Sequence, residues 1–300
     1  MQDPASLYRL ETDTAIGDLS APTLLVALGG YLDAGHTQRL LTEHLLATLD
    51  HTVVATFDLD QLIDYRARRP MMTFAQDHWV DYADPALILY RLIDDAGSPF
   101  LLLTGPEPDY QWERLVESVL TLIKALQVEL TVTVHGIPMA VPHTRPISAT
   151  VHATVPELRS GTPVFGTISL PGSLAALLEL RLGELGRRAV GYAVHVPHYL
   201  AQADHPAAAL YGLGCAREVA GLDLPDAGLH LAVADSEHAI AAELASSADA
   251  AEIVAALERQ YDARHQPADQ DVPIDEAELP SADQLGAELE AFLRDVGRGN

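Results

Sequence analysis

Along the first two-thirds of this chain, short β-branched and aliphatic runs alternate with stretches whose apolar residues recur at helical spacing, and that alternation limits what it can fold into. The runs are TLLVAL from Thr23, TVVATF from Thr52, FLLL from Phe100, VELTVTV from Val128 and VGYAVHV from Val190, and each reads as a buried strand. Between them lie Leu40, Leu41, Leu45, Leu46 and Leu49, then Leu115, Val119, Leu122, Ile123 and Leu126, then Leu174, Leu177, Leu178 and Leu182, each set forming one helical stripe. Parallel strands need a crossover long enough to be a helix. The pattern therefore predicts an α/β fold, with a mostly parallel sheet covered by helices on both faces.

Two regions break the rhythm. Leu62 to Tyr90 carries Arg66, Arg68, Arg69 and Pro70 and then a loop-like Phe74 to Asp84. It predicts an inserted loop or hairpin followed by a strand over ALILYRLI. After about Pro225, alanine and acidic residues replace the β-branched runs, so helices are expected. From Glu243 to Asp295 there are 14 acidic residues against three basic ones, and a Pro-containing stretch separates two helical patterns. The expected division is an α/β domain over 1–230 and a helical C-terminal region over 231–300, with an acidic linker near 266–280.

The formal charge of −25 sets the chain against nucleic acid and anionic membrane surfaces, both of which would repel it. One cysteine, Cys215, leaves no intramolecular disulfide and no thiolate cluster, and it suits a reducing compartment. The N-terminal MQDPASLYRLE lacks the basic and apolar parts of an export signal, and no apolar run reaches the roughly 18–20 residues that span a bilayer. A cytoplasmic protein without a membrane partner is expected.

The segment GGYLDAGHT, Gly29 to Thr37, lies between a buried strand and an amphipathic helix, with Gly30, Gly35 and Thr37 at the spacing of a phosphate-binding loop. Its chemistry runs the other way. His36 stands at the lysine position, and Asp33 places a negative charge where phosphates would sit. Asp33 reads instead as the helix N-cap, and Gly30 and Gly35 as structural glycines of a tight turn. No GxSxG elbow surrounds Ser169 or Ser173, Cys215 reads as a small core thiol, and the 13 histidines include no HExxH. The carboxylate pairs Asp58 with Asp60 and Glu107 with Asp109 read as solvated or salt-bridged, with Arg66, Arg68 and Arg69 as neighbours. No catalytic residue, cofactor or metal is assigned.

GGYLDAG, DLDQLIDYRARRP, TGPEPDYQWE, HGIPM and HVPHY each follow the C-terminal end of an inferred strand, so in a parallel sheet they gather along one edge, where α/β folds place their sites. The candidate binding or interface edge consists of Gly30, Tyr31, Asp33, Gly35, Arg68, Glu107, Asp109 and Trp112. Aromatic residues and arginine in such loops are the composition of a protein interface.

In order along the chain, LGGYLDAG, DYRARRP, PFLLLTGPEPDYQWE, HGIPMAVPHTRP, VPHYLAQ and ELPSADQLGAELEAFL resemble the proteasome assembly chaperone family in its actinobacterial form. That resemblance implies a nucleoside-phosphorylase-like α/β fold with a helical C-terminal part, a tendency to form homo-oligomers, and no established catalytic residues. The partner it implies is a protein, in that family the proteasome subunits. The last residues, DVGRGN, lack the aromatic anchor of the hydrophobic-tyrosine-any motif through which some members dock. Two functional readings follow: a non-catalytic assembly or scaffolding protein, or a small-molecule, nucleoside or nucleotide-binding enzyme using the loop edge.

The charge at Asp33 and the missing lysine generate the first test. Calorimetry with ATP, GTP and adenosine should be silent at micromolar concentrations. A saturable signal abolished by Asp33→Ala would revive the enzyme reading.

Overall fold

A computed structural model describes residues 3–11, 14–160 and 165–265. The strands are β1 (Tyr8–Leu10), β2 (Thr23–Gly29), β3 (His51–Phe57), β4 (Met72–Ala75), β5 (His78–Tyr82), β6 (Ile88–Ile93), β7 (Pro99–Pro106), β8 (Leu130–Met139), β9 (Ala149–Ala153) and β10 (Arg188–Pro197). The helices are α1 (Thr37–Thr48), α2 (Trp112–Ala125), α3 (Leu174–Glu184), α4 (Pro206–Ala220), α5 (Ala227–Ser246) and α6 (Ala248–His265). All five runs read as buried strands are strands, and the three leucine-rich stripes are α1, α2 and α3.

Eight strands form one sheet in the order β1-β3-β6-β7-β2-β8-β10-β9, while β4 and β5 pair as a separate hairpin. The centre is parallel: β2 pairs with β7 and β8, and β8 with β10. The margins are antiparallel, through β1/β3, β3/β6, β6/β7 and β9/β10. Followed across these ladders, β2, β3, β7, β8 and β10 point the same way, so five of the eight strands share one direction and the sheet is mostly parallel. The two outermost strands have weak sequence signals. β1 has only three residues, and β9 is half-buried along its whole length.

Side-chain alternation along β2 sorts the core into two layers. Leu24, Val26 and Leu28 pack with Leu115, Val119 and Leu122 of α2 and Leu178 of α3. Leu25 and Ala27 pack with Leu41 and Leu45 of α1 and Leu213 of α4 on the opposite face. Burial of one such leucine contributes about 1.5–3 kcal/mol. Helices therefore cover both faces, as the strand–helix alternation required.

Among the described residues, the chain after Pro225 is helical over Ala227–Ser246 and Ala248–His265, as expected. α5 leaves the core after Leu229, and α6 returns with Val254 and Leu257 buried. Arg145, in the loop after β8, bonds Asp262 at 2.6 Å and reaches Glu258 at 3.3 Å, while the Thr144 hydroxyl donates to Glu258. The expected linker near 266–280 and the stripe of Leu285, Leu289, Phe292 and Leu293 lie outside the described residues. Among the described residues no helix is long and apolar enough to cross a membrane.

Because the Arg145 pairs are partly exposed, solvent screens them and they add little to stability. Arg145→Ala should accelerate amide hydrogen exchange across 248–265 while leaving β2 and β7 protected. Unchanged exchange in α6 would show that Val254 and Leu257 hold the helix without the ion pairs.

Candidate functional site

The five co-directional strands bring the five predicted segments to one edge of the sheet, but HGIPM and the first half of HVPHY are the last residues of β8 and β10 rather than loops after them. At the first, the chain passes from Gly29 through a short 3-10 turn, Ala34–His36, into α1. His36, in a left-handed conformation (φ 50°), stands at the cap position and makes no capping bond with its side chain. Asp33 does that work from further back: its Oδ1 accepts from the Gln38 amide at 2.8 Å and its Oδ2 from the Arg39 amide at 3.3 Å. The expected N-cap is thus corrected in position, while its chemistry stands. The helix N-terminus that would have faced a phosphate holds the chain's own carboxylate. Burial raises the Asp33 carboxyl above its ordinary range, against the amides of Gln38, Arg39 and Gly136 that favour its charge.

Gly35 makes this turn possible. Its φ is 66°, and a Cβ there would lie 2.9 Å from the His205 Cβ and 3.2 Å from Val196. Its amide donates to the Ala201 carbonyl and its carbonyl accepts from the His205 amide, which ties the turn to the link between β10 and α4.

A second carboxylate does the same for α3. Glu107, buried just after β7, accepts from the Leu174 amide at 2.6 Å, while Ser173 caps the same helix through Ala176 at 3.1 Å. The other oxygen of Glu107 fills the space beside Gly30, where a Cβ would come within 2.6 Å of it. Burial pushes the Glu107 carboxyl up; the Leu174 amide and Arg68 oppose the shift, and Asp109 adds to it.

Arg68 donates to the Glu107 carbonyl and to Asp109, whose second oxygen accepts from the Asp64 amide at 2.6 Å. Burial alone would raise Asp109, but Arg68 and the Asp64 amide outweigh it and hold the carboxyl below its usual range. The Trp112 indole donates to Pro108 at 2.6 Å as its ring packs on the core, and the Tyr31 hydroxyl donates to Pro171 at 2.8 Å with the ring largely exposed. The structure therefore gathers Gly30, Tyr31, Arg68, Glu107, Asp109 and Trp112. Asp33 and Gly35 lie apart, toward Gly136 and Val196.

Asp58 and Asp60 are bonded locally, to Gln61 at 2.6 Å and Tyr65 at 2.5 Å. Cys215 is half-buried, and burial pushes its thiol up to about 11, so it is neutral at physiological pH. Toward the β8–β10 end, His195 bonds Ser148 and Thr150, and burial, with a smaller contribution from His143, pulls His205 down to about 4. His205 is a neutral core side chain that the sequence reading did not single out. Nor did that reading single out Phe165, Ile168 and Leu170, exposed along the segment that leads into α3. They follow no helical or strand period, and the stretch drew notice only for its serines. Among the described residues no three His, Cys, Asp or Glu side chains converge as a metal ion's ligands would.

A family model described as the PAC2 family matches residues 27–244. No curated protein matches the chain. A Mycobacterium tuberculosis protein of unknown function is 47% identical, with a TM-score of 0.82 over 86% of this chain and 89% of its own. One from Corynebacterium glutamicum, also of unknown function, is 35% identical, with a TM-score of 0.80 over 87% and 98%. A Mycobacterium tuberculosis proteasome-assembly chaperone homologue shares the fold at 23% identity and a TM-score of 0.68, over 77% and 99% of the two chains.

Gly35→Val combines a left-handed backbone with crowding against Val196 and His205, and each effect alone costs about 1–3 kcal/mol. Its urea midpoint should fall well below that of Gly30→Ala, in which the Glu107 side chain can yield; equal midpoints would count against the turn as the tighter constraint. Glu107 gives a pH test. A raised carboxyl contributes stability that is present below the ordinary glutamate pKa of about 4.3 and lost as pH rises through its elevated folded value. Relative to wild type, Glu107→Gln should therefore gain stability between pH 4 and neutrality. A constant difference across that window would show that burial is not felt by the charge.

Proposed function

Because the chain belongs to the PAC2 family, we propose that it is a non-catalytic, assembly-chaperone-like protein that binds other proteins through the loop edge of its sheet and acts in the cytoplasm as a homo-oligomer. The observation that carries this reading is how the edge is occupied. Two of the helix N-termini there, those of α1 and α3, are filled by Asp33 and Glu107, and Arg68 is held by Asp109 and the Glu107 carbonyl, so these groups, which would otherwise suit an anionic small molecule, are already engaged. What the edge offers outward is Tyr31, Tyr110 and, next to the Pro171 that Tyr31 bonds, Leu170, with Phe165 and Ile168 exposed further back along the same segment, side chains of the kind that form protein contacts.

Proteasome subunits are the clients that the family resemblance implies, and the helical region from 231 onward is an accessory to the α/β body. The decisive experiment mixes the purified chain with free α- and β-subunits of an actinobacterial 20S proteasome and follows complexes by native mass spectrometry. Wild type should capture free subunits. Tyr31→Ala with Leu170→Ser should weaken capture about tenfold, equivalent to about 1.4 kcal/mol. Absence of any complex would remove the proteasome as client, and capture indifferent to the double variant would move the contact off this edge.

A further inference from the structure

On the face of the sheet that packs against α3, the strands β8, β10 and β9 bring two histidines together across a gap that a glycine keeps open. In these ladders Thr133, Gly191 and His152 form one row, and His135, Ala193 and Thr150 the row two residues on. The middle strand thus contributes only Gly191 and Ala193 between the longer side chains of its neighbours, which leaves a trough along it. The His152 imidazole lies across Gly191: a Cβ there would meet its Cε1 at 2.0 Å, its Nε2 at 2.5 Å and the Thr133 hydroxyl at 2.6 Å. A side chain at 191 would push the ring out of the trough. On the other bank stands His135, its ring centre 6.5 Å from that of His152 and the two planes at 50°.

The two rings are prepared in different ways. His152 Nδ1 lies 2.9 and 2.8 Å from the two oxygens of Glu179 on α3, a largely buried carboxylate. The carboxylate accepts, so Nδ1 carries the proton and Nε2, over Gly191, keeps its lone pair. Among the described residues neither nitrogen of His135 has a hydrogen-bond partner. Burial, and after it the neighbouring His152, pulls His135 down to about 4, so it is neutral at physiological pH. A polar ring held in a partly buried place without a partner is costly, and a ligand removes that cost. We infer that His135 and His152 form a two-nitrogen site for a transition-metal dication of the Zn²⁺ and Cu²⁺ class, with Glu179 orienting His152 from behind. Imidazole nitrogen suits these ions, and a carboxylate behind a ligating histidine is their usual support. With metal–nitrogen bonds of about 2.0–2.1 Å, two imidazoles on one ion place their ring centres roughly 5–6.5 Å apart. The observed 6.5 Å is the open end of that range and closes by a turn of the unbonded His135 ring. The Thr133 hydroxyl faces the same gap, and water completes the coordination, so this is an open site rather than a closed structural centre. A bound ion fastens β9, which has a neighbour on one side only, to β8 across β10.

The test is calorimetry of Zn²⁺ into the full chain, first stripped with a chelator. It compares wild type with His135→Ala, His152→Ala, Glu179→Gln and a control, His78→Asn, at an exposed ring on the β4–β5 hairpin. Wild type and control should bind one equivalent at micromolar concentrations, with the thermal midpoint rising as zinc is added. Each of the two alanine variants should lose at least tenfold in affinity, and Glu179→Gln about 10–100-fold. Cu²⁺ in place of zinc should show two imidazole nitrogens by electron paramagnetic resonance in wild type and one in either alanine variant. No saturable binding to wild type would overturn the site, and binding unchanged in His135→Ala or His152→Ala would place the ion on other histidines and overturn it equally. Full affinity in Glu179→Gln would overturn the positioning role of Glu179. Should an alanine variant fail to fold, the imidazole nitrogen resonances of wild type decide. Zinc should shift those of His135 and His152 together, and any other pattern overturns the site.

Discussion

A strand paired in parallel on both sides cannot be reached by a tight turn, and β2 is such a strand, flanked by β7 and β8. The rest of the architecture follows from that. The chain must leave each central strand at one edge and return to the other, so α1 and α2 become crossovers, and because they lie on opposite faces both sides of the sheet are buried. The central strands accordingly lack polar–apolar alternation: β2 reads Leu24-Leu25-Val26-Ala27-Leu28 with every side chain buried. The same constraint collects the C-terminal ends of β2, β3, β7, β8 and β10 along one edge, where the following helices begin.

Helix N-termini at such an edge present unpaired amides and a partial positive charge, which is why α/β proteins so often bind anions there. This chain meets that demand internally. Asp33 reaches forward to α1, and Glu107 crosses from the end of β7 to α3, a helix distant in sequence. Both carboxyls are raised by burial, so each charge is only partly compensated by the amides that hold it. The glycines follow from these carboxylates as much as from the turn: Gly30 is small because Glu107 occupies the space where its side chain would lie. An edge arranged in this way closes the N-termini of α1 and α3 with the chain's own carboxylates and leaves Tyr31 and Leu170 exposed.

The parallel core was legible because its signals are local and strong: β-branched and aliphatic runs of four to seven residues, leucine stripes, and breaker residues between them. The Asp33 cap was legible in kind but misplaced by three residues, since the left-handed Gly35 and His36 compress the turn in a way that spacing alone does not reveal. Partnerships across long separations were not legible. Glu107 with Leu174 spans 67 positions, and Arg114 buries its guanidinium against the Asp3 carbonyl and the Ser6 hydroxyl more than a hundred positions away. A buried arginine with Ser118 one turn on gives no sign in sequence of which distant segment will cover it. That segment includes Leu7, fully buried ahead of a strand only three residues long, and no pattern of that length separates a marginal strand from a loop.

Edge and hairpin are joined through one stretch of chain. The segment from Asp58 to Pro70 leaves β3, supplies Asp64 and Arg68 to the Glu107–Asp109 cluster, and runs directly into β4. Tyr65, bonded to Asp60, approaches Tyr82 at the end of β5, so the base of the hairpin sits against the loop that carries Arg68.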